Sequence, residues 1–255
     1  MSFIIVIPAR YDSSRLPGKP LKKLLGKPLL QHVYECATRS DASEIIIATD
    51  DERIETAAKS FGADVCMTGS QHTSGTERIA EVISTRNITD DTIVVNLQGD
   101  EPMMPAACLN QVARLLTDKP ECSMSTLCES ISSQDDVFNP NVVKVVFDRL
   151  GRALYFSRAP IPWDRNRFSN EQGAEADMTG THFRHIGLYA YRAGYVTKYL
   201  AAPASPVEKL ESLEQLRVLW NGDQIAISEA VEQTGPGVDT ENDFNQVEAL
   251  MSSLT

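Results

Sequence analysis

Apolar positions along this chain follow two alternating rhythms. Unbroken apolar runs within residues 3–7, 44–48, 65–67 and 92–97 read as strands buried on both faces, the habit of a parallel sheet, and 123–127 reads as a further strand. Between them the apolar residues recur at helical spacing. Leu29, Leu30, Val33, Cys36 and Ala37 share one face behind Pro28, and an acidic turn at Asp50 and Asp51 opens a helix to Phe61 that Gly62 ends. Ser74-Gly75-Thr76-Glu77 is a capping box ahead of Ile79, Val82 and Ile83, and a further helix covers about 105–116. Strand and helix in alternation at short intervals predict an α/β fold with a doubly wound, mostly parallel sheet. Ligands of such sheets bind beyond the carboxyl ends of the strands.

The second half is less regular and richer in β pattern. Residues 142–147 and 153–156 read as two strands around the turn Asp148-Arg149-Leu150-Gly151, and 185–191 and 225–228 as two more. Residues 159–182, rich in Pro, Asp, Asn and Gly, predict a long mobile loop. Val207, Leu210, Leu213, Leu216 and Leu219/Trp220 mark one buried face of a single helix over 206–220, and Thr240 caps a final helix. Without a clean linker the chain reads as one domain, with a nucleotide-binding part over about 1–130 and a smaller β-rich extension over about 131–235.

Charge narrows the function classes. A net charge of −11 over 255 residues argues against binding nucleic acid or anionic membranes. The first ten residues lack a basic region and a cleavage site, so they read as a strand and not a signal peptide, and a cytoplasmic location follows. Five dispersed cysteines, Cys36, Cys66, Cys108, Cys122 and Cys128, fit reduced core thiols. Against the acidic average, Arg10, Arg15, Lys19, Lys22, Lys23 and Lys27 crowd one short segment, opposed by Asp12 alone. A concentrated positive loop leaving a buried strand suits a phosphate chain, because backbone N–H groups and Arg or Lys bond phosphate oxygens together. Arg10, Arg15 and Lys19 suffice for a triphosphate bearing about four negative charges. Asp100, at the end of a buried strand in Gln98-Gly99-Asp100-Glu101-Pro102, reads equally as a Mg²⁺ ligand or as a turn aspartate. Asp239 in Gly237-Val238-Asp239-Thr240 precedes the final helix and also reads as its cap.

The run IPARYDSSRLPGKPL resembles the start of the 3-deoxy-manno-octulosonate cytidylyltransferases, the CMP-Kdo synthetases. The resemblance continues in order through SGTER, NLQGDEP, NPNVVKVV, LYFSRAPIPW, RHIGLYAYR, LEQLRVLW and GVDT, over essentially the whole chain. It implies a Rossmann-like nucleotidyltransferase sheet, transfer of CMP from CTP to the anomeric hydroxyl of Kdo for lipopolysaccharide biosynthesis, release of pyrophosphate, and a homodimer. It implies that Asp100 and Asp239 hold Mg²⁺ and act in catalysis with Lys19. The nucleotide would lie against Ala9, Arg10, Ser13, Arg15, Lys19, Ser74, Gly75, Arg78 and Gln98. Arg158, Arg184, His185, Tyr189, Glu214 and Gln215 match the motifs expected to hold the sugar acid, with Gln98 open to either substrate. By position alone Tyr189 also reads as packing, and Glu214 and Gln215 as a solvated helix face. Two rival readings remain: the same reaction on the 8-amino-3,8-dideoxy sugar acid, and a sugar-nucleotide-dependent glycosyltransferase. The second normally carries a D-x-D metal motif, where this chain has Gly99-Asp100-Glu101.

Overall fold

The structure, a computed structural model, describes residues 2–12, 15–168 and 178–253. The chain forms two compact units, one from Met1–Arg114, Leu188–Thr197 and Val231–Thr255, the other from Leu115–Gly187 and Lys198–Ala230.

In the first unit, β1 (Phe3–Pro8) is buried from Phe3 to Ile7, as its unbroken apolar run requires. The chain then passes through a 3₁₀ turn at Lys19–Leu21 and a minimal hairpin, β2 (Lys23–Leu24) with β3 (Lys27–Pro28). It enters α1 (Leu29–Thr38), which buries all five residues of its predicted face. Next come β4 (Glu44–Thr49), α2 (Glu52–Ser60), β5 (Asp64–Met67), α3 (Gly75–Thr85), β6 (Ile93–Asn96) and α4 (Ala106–Asp118). The strand β1 pairs parallel with both β4 and β6, and β4 pairs parallel with β5. The helix α1 packs on β4, α2 on β4 and β5, and α3 on β1, β4 and β6. The alternating α/β expectation is met, and the sheet is mostly parallel. From β1 the chain adds strands on one side, β4 then β5, and returns to the other side with β6. That reversal makes the carboxyl ends of β1 and β6 a topological switch point, where α/β sheets bind ligands.

In the second unit β7 (Met124–Ser130) is followed by α5 (Gln134–Phe138) and by an antiparallel hairpin, β8 (Lys144–Phe147) with β9 (Ala153–Ser157). A short helix, α6 (Arg165–Phe168), lies within the expected long loop. Its Phe168 ring sits 4.9 Å from the Phe138 ring and 5.0 Å from that of Trp163, so the described start of this segment is packed. The remainder of the expected mobile stretch includes 169–177, outside the described residues. The long strand β10 (Phe183–Arg192) divides between the units: Phe183 and Arg184, in the second, pair with β8, and Tyr189 to Arg192, in the first, pair antiparallel with β6. After α7 (Ala193–Ala201), α8 (Pro206–Glu211) and α9 (Leu216–Trp220), β11 (Ile225–Glu229) pairs parallel with β7, and α10 (Glu241–Ser253) closes the described chain.

One element departs from expectation. The single helix over 206–220 is broken at Ser212, in the left-handed region at φ 53°, and Leu210 stands 85% exposed where it was expected inside. Apolar spacing misled because a carboxylate takes the inward position. Glu208 is buried, bonds the Ser205 N–H at 3.1 Å, and receives Arg217 Nη2 at 2.6 Å and Nε at 2.9 Å. Residues nine apart on a straight helix are separated by about 13 Å along its axis, so this ion pair needs the chain to turn.

Candidate active site

The cation loop is shaped by its own backbone and one aromatic ring. Ala9 extends the β1–β4 ladder through its N–H to Ala48 O at 2.9 Å. Gly18 donates to Tyr11 O at 3.1 Å with φ at +67°, a conformation that side chains resist. Arg53 lies over the Tyr11 ring at 3.3 Å. Beneath the loop Leu16, Leu24, Leu29, Val238, Phe244 and Val247 form one apolar cluster, which ties it to α10. Lys22 adds an ion pair to Glu241 and lies 4.4 Å over the Phe244 ring.

Lys19 rises from this base with only 12% of its side chain exposed. Its ammonium donates to Asp100 Oδ2 at 2.7 Å, to Val238 O at 2.7 Å and to Asp239 Oδ1 at 3.2 Å. Arg15 Nη2 reaches Asp239 Oδ2 at 3.1 Å. Asp100 follows β6 across Gly99, where a Cβ would stand 2.9 Å from Pro8 O, so the two strand ends meet backbone to backbone. The Val238 N–H donates to Asp100 O at 2.8 Å and fixes the two carboxylate-bearing segments together.

The structure bears on one sequence reading of Asp239, that of helix cap. The cap of α10 is Thr240, whose Oγ1 accepts the Asp243 N–H at 3.3 Å. Asp243 reciprocates, taking the N–H of Asp239 at 3.1 Å and of Thr240 at 2.8 Å. Burial works against the charge of Asp243, but these bonds and that of the Thr240 hydroxyl outweigh it and hold its carboxyl below the usual range. The Asp239 carboxylate is left to Lys19 and Arg15. Among the described residues the Asp100 carboxylate likewise meets Lys19 and no helix N–H.

A third wall comes from the start of α3. Ser74 Oγ accepts the Glu77 N–H at 3.2 Å, while the Glu77 carboxylate turns back to the Thr73 N–H at 2.6 Å, which keeps its pKa low. One turn on, Glu81 bonds His72 Nε2 and accepts the Gly69 N–H at 2.9 Å, and these two bonds, His72 first, lower its pKa as well. Arg78 is buried between Asp50 Oδ2, at 3.2 Å, and the Thr68 hydroxyl. Gln98 donates through Nε2 to Asn96 Oδ1 at 3.1 Å.

These elements enclose a cavity of about 300 Å³. Ala9, Arg10, Arg15, Lys19, Ser74, Gly75, Arg78 and Gln98 all line it, as do Asp100 and Asp239. Ser13 lies outside the described residues. Arg10, Arg15, Lys19 and Arg78 face Asp100 and Asp239, and with the Asp50 partner of Arg78 counted a positive surplus remains, suited to a polyphosphate. His72 and Thr73 also line it and were missed from the sequence. Their signal was Glu77 and Glu81, one turn apart on α3 and facing the loop just before it.

The remaining candidates occupy separate local settings. Tyr189, in the first unit, is 5% exposed on β10 opposite Asn96. The others belong to the second unit. Arg158 Nε donates to Glu211 O at 2.7 Å and Nη1 to Pro140 O at 2.9 Å. Arg184 Nε meets Glu129 Oε2 at 2.8 Å. His185 Nε2 lies 2.9 Å from Thr126 Oγ1, and its ring stacks edge-on to Phe156 at 4.8 Å. The Thr126 hydroxyl spends its one hydrogen on Ile186 O at 3.0 Å, so His185 is the donor. Enclosure of the ring pushes the His185 pKa down to about 3, which leaves the imidazole neutral at ordinary pH. Glu214 and Gln215 lie in the turn between α8 and α9 and not on the solvated helix face expected of them. Gln215 is 2% exposed, and its Nε2 has no partner among the described residues.

A mostly parallel α/β sheet with a cation loop and a carboxylate pair at its switch point defines the class of nucleotide-processing enzymes. The cytidylyltransferase family matches residues 4–225 of this chain. Over 252 residues the chain is 54% identical to the 3-deoxy-manno-octulosonate cytidylyltransferase of Aliivibrio fischeri, covering 99% of this chain and 100% of that one. It is 52% identical over 250 residues to the protein of that name from Idiomarina loihiensis, covering 98% of each. Among solved structures, a CMP:2-keto-3-deoxy-manno-octonic acid synthetase complexed with CTP matches all of both chains with a TM-score of 0.89 at 43% identity. A 4-diphosphocytidyl-2C-methyl-D-erythritol synthase, 14% identical with a TM-score of 0.61 over 98% of this chain and 99% of that one, shares the fold. This chain belongs to the cytidylyltransferase family, in the branch of the 3-deoxy-manno-octulosonate cytidylyltransferases, and is a nucleotidyltransferase. Among the described residues no helix is long and apolar enough to cross a membrane.

Proposed function

We propose that this enzyme transfers CMP from CTP to the anomeric hydroxyl of 3-deoxy-manno-octulosonate, giving CMP-Kdo and pyrophosphate for lipopolysaccharide biosynthesis. The observation that carries the reading is the joining of Asp100, Asp239 and Lys19 at the floor of a cation-lined cavity. Full-length relatives named for this reaction, and a neighbour holding CTP, support it. The hydroxyl oxygen attacks the α-phosphorus, the bond to the bridging oxygen breaks, pyrophosphate leaves, and the hydroxyl proton passes to water. Such a transfer asks for position and charge neutralisation more than covalent help. Arg10 and Arg15 hold the departing pyrophosphate, Arg78 and the 72–75 wall enclose the nucleotide, and Gln98 orients a substrate hydroxyl or the base.

The donor set fits Mg²⁺. Asp100 and Asp239 are hard oxygen donors that share the Lys19 ammonium as a hydrogen-bond partner. No group of three or more His, Cys, Asp or Glu suited to a metal occurs among the described residues. Two carboxylates, with the remaining ligands from phosphate and water, are what Mg²⁺ uses in nucleotide enzymes. When bound there, Mg²⁺ supplies charge neutralisation at the phosphate and lowers the pKa of the attacking hydroxyl.

For the sugar acid, the buried, unpartnered Nε2 of Gln215 is a donor awaiting an acceptor, and neutral His185 offers polar bonding without charge. Cytoplasmic residence and a homodimer complete the proposal. The dimer is supported by the exposed Leu154 on β9 and the exposed Trp163 in the loop beyond it.

Purified protein with CTP, Mg²⁺ and Kdo is expected to release one pyrophosphate per CMP-Kdo formed. The absence of release with Kdo, but turnover of the 8-amino sugar acid, would move the assignment to that substrate; no release with either would end it. Glu81→Gln is expected to raise the KM for CTP roughly tenfold, equal to ~1.4 kcal/mol, with kcat nearly unchanged. Glu81 does not line the cavity and acts through His72 and Gly69. A fall in kcat at unchanged KM would place the loop in the chemical step instead.

A further inference from the structure

Lys19 spends its hydrogen bonds in an unexpected direction. An ammonium has three N–H donors, and the acceptors of Lys19 are Asp100 Oδ2, Val238 O and Asp239 Oδ1, at 2.7, 2.7 and 3.2 Å. All three belong to the carboxylate-bearing segments. We propose that in the nucleotide-free enzyme Lys19 is the counter-cation of the Asp100–Asp239 pair, competing with the divalent cation for the same oxygens. Binding of the metal then expels the ammonium, and the phosphates receive it. This inference rests on the proposed metal role of the two aspartates and adds an exchange to it.

The physical case is one of crowding. Mg²⁺ sits about 2.0–2.1 Å from carboxylate oxygens, so a metal on the atoms that Lys19 now bonds would stand only a few ångströms from its positive nitrogen. Repulsion between a divalent ion and a largely buried ammonium is weakly screened. Either the ammonium leaves or the metal binds poorly. Arg15 also pairs with Asp239, but its side chain is 64% exposed, and solvent screens it.

Removing Lys19 has a second, opposing effect, since the ammonium also draws the two carboxylates together. The backbone decides between them. The Val238 N–H to Asp100 O bond and the two N–H bonds to Asp243 hold these segments without Lys19. Loss of competition therefore outweighs loss of alignment.

The test is Mn²⁺ titration followed by electron paramagnetic resonance, without nucleotide, on the wild type, Asp100→Asn, Lys19→Met and Lys19→Gln, each checked by thermal melting. Asp100→Asn is expected to weaken Mn²⁺ binding at least tenfold, and both Lys19 variants to tighten it by roughly tenfold over wild type. Should one Lys19 variant fail to fold, the other carries the comparison. Unchanged or weaker Mn²⁺ binding in the folded Lys19 variant, with Asp100→Asn still impaired, overturns the exchange and leaves the carboxylate assignment standing. Wild-type Mn²⁺ affinity in Asp100→Asn overturns both.

Discussion

Asp100→Ala is expected to lower pyrophosphate release by at least about a thousandfold while leaving the fold intact. The substitution takes away one of the two carboxylates that the described residues bring to the cavity floor. It also frees Lys19, whose ammonium keeps Val238 O and Asp239 as partners. The fold should survive because the contribution of Asp100 to the frame is its backbone oxygen, which still accepts the Val238 N–H. Its side chain is 30% exposed, a setting where truncation typically costs no more than about 1 kcal/mol. Steady-state release of pyrophosphate and a thermal melt check the two halves. Activity within tenfold of wild type would place the metal elsewhere.

The second large effect is on stability against acid. The His185 pKa is about 3 in the fold and near 6.5 in an unfolded chain. Above pH 6.5 both states are neutral at this site, and its full contribution to stability is present. As pH falls from 6.5 towards 3 the unfolded chain gains a proton that the folded chain refuses, so stability declines throughout that window. By pH 4.5 the loss is about 2–3 kcal/mol, at 1.36 kcal/mol per unit. His185→Gln can still donate to Thr126 but takes up no proton. Its urea-unfolding free energy is expected to fall less steeply than that of wild type between pH 7.5 and 4.5, carboxylate effects being common to both. Equal slopes would show that His185 protonates within the fold.

Much of this was readable from residues alone, for definite reasons. The strands Phe3–Pro8 and Ile93–Asn96 announce themselves because a strand covered on both faces has no polar alternation to obscure it. The cation-lined cavity was legible because its cations follow one strand within a few residues and the Ser74 cap follows another. The partners of Lys19 were not, since Val238 and Asp239 arrive from a distant segment and no local pattern marks a backbone carbonyl as an acceptor. Nor was the break at Ser212. Helical periodicity counts apolar residues, and there the buried group is Glu208, made tolerable by Arg217. His72 was overlooked because its setting depends on a carboxylate nearly two turns inside the following helix.

The interleaving of the first unit has a consequence for how the enzyme comes into being. The cation loop and Asp100 belong to its opening segment, whereas Asp239 belongs to its closing one. A ribosome therefore delivers the cation-bearing half of the cavity long before the second carboxylate. Until residue 239 has emerged and α10 has docked on the Leu16–Leu24–Leu29 cluster, a nascent chain can shape the cavity wall but cannot complete its floor. The cavity floor of this molecule is assembled late, by the segment that also seals the apolar base of its first loop.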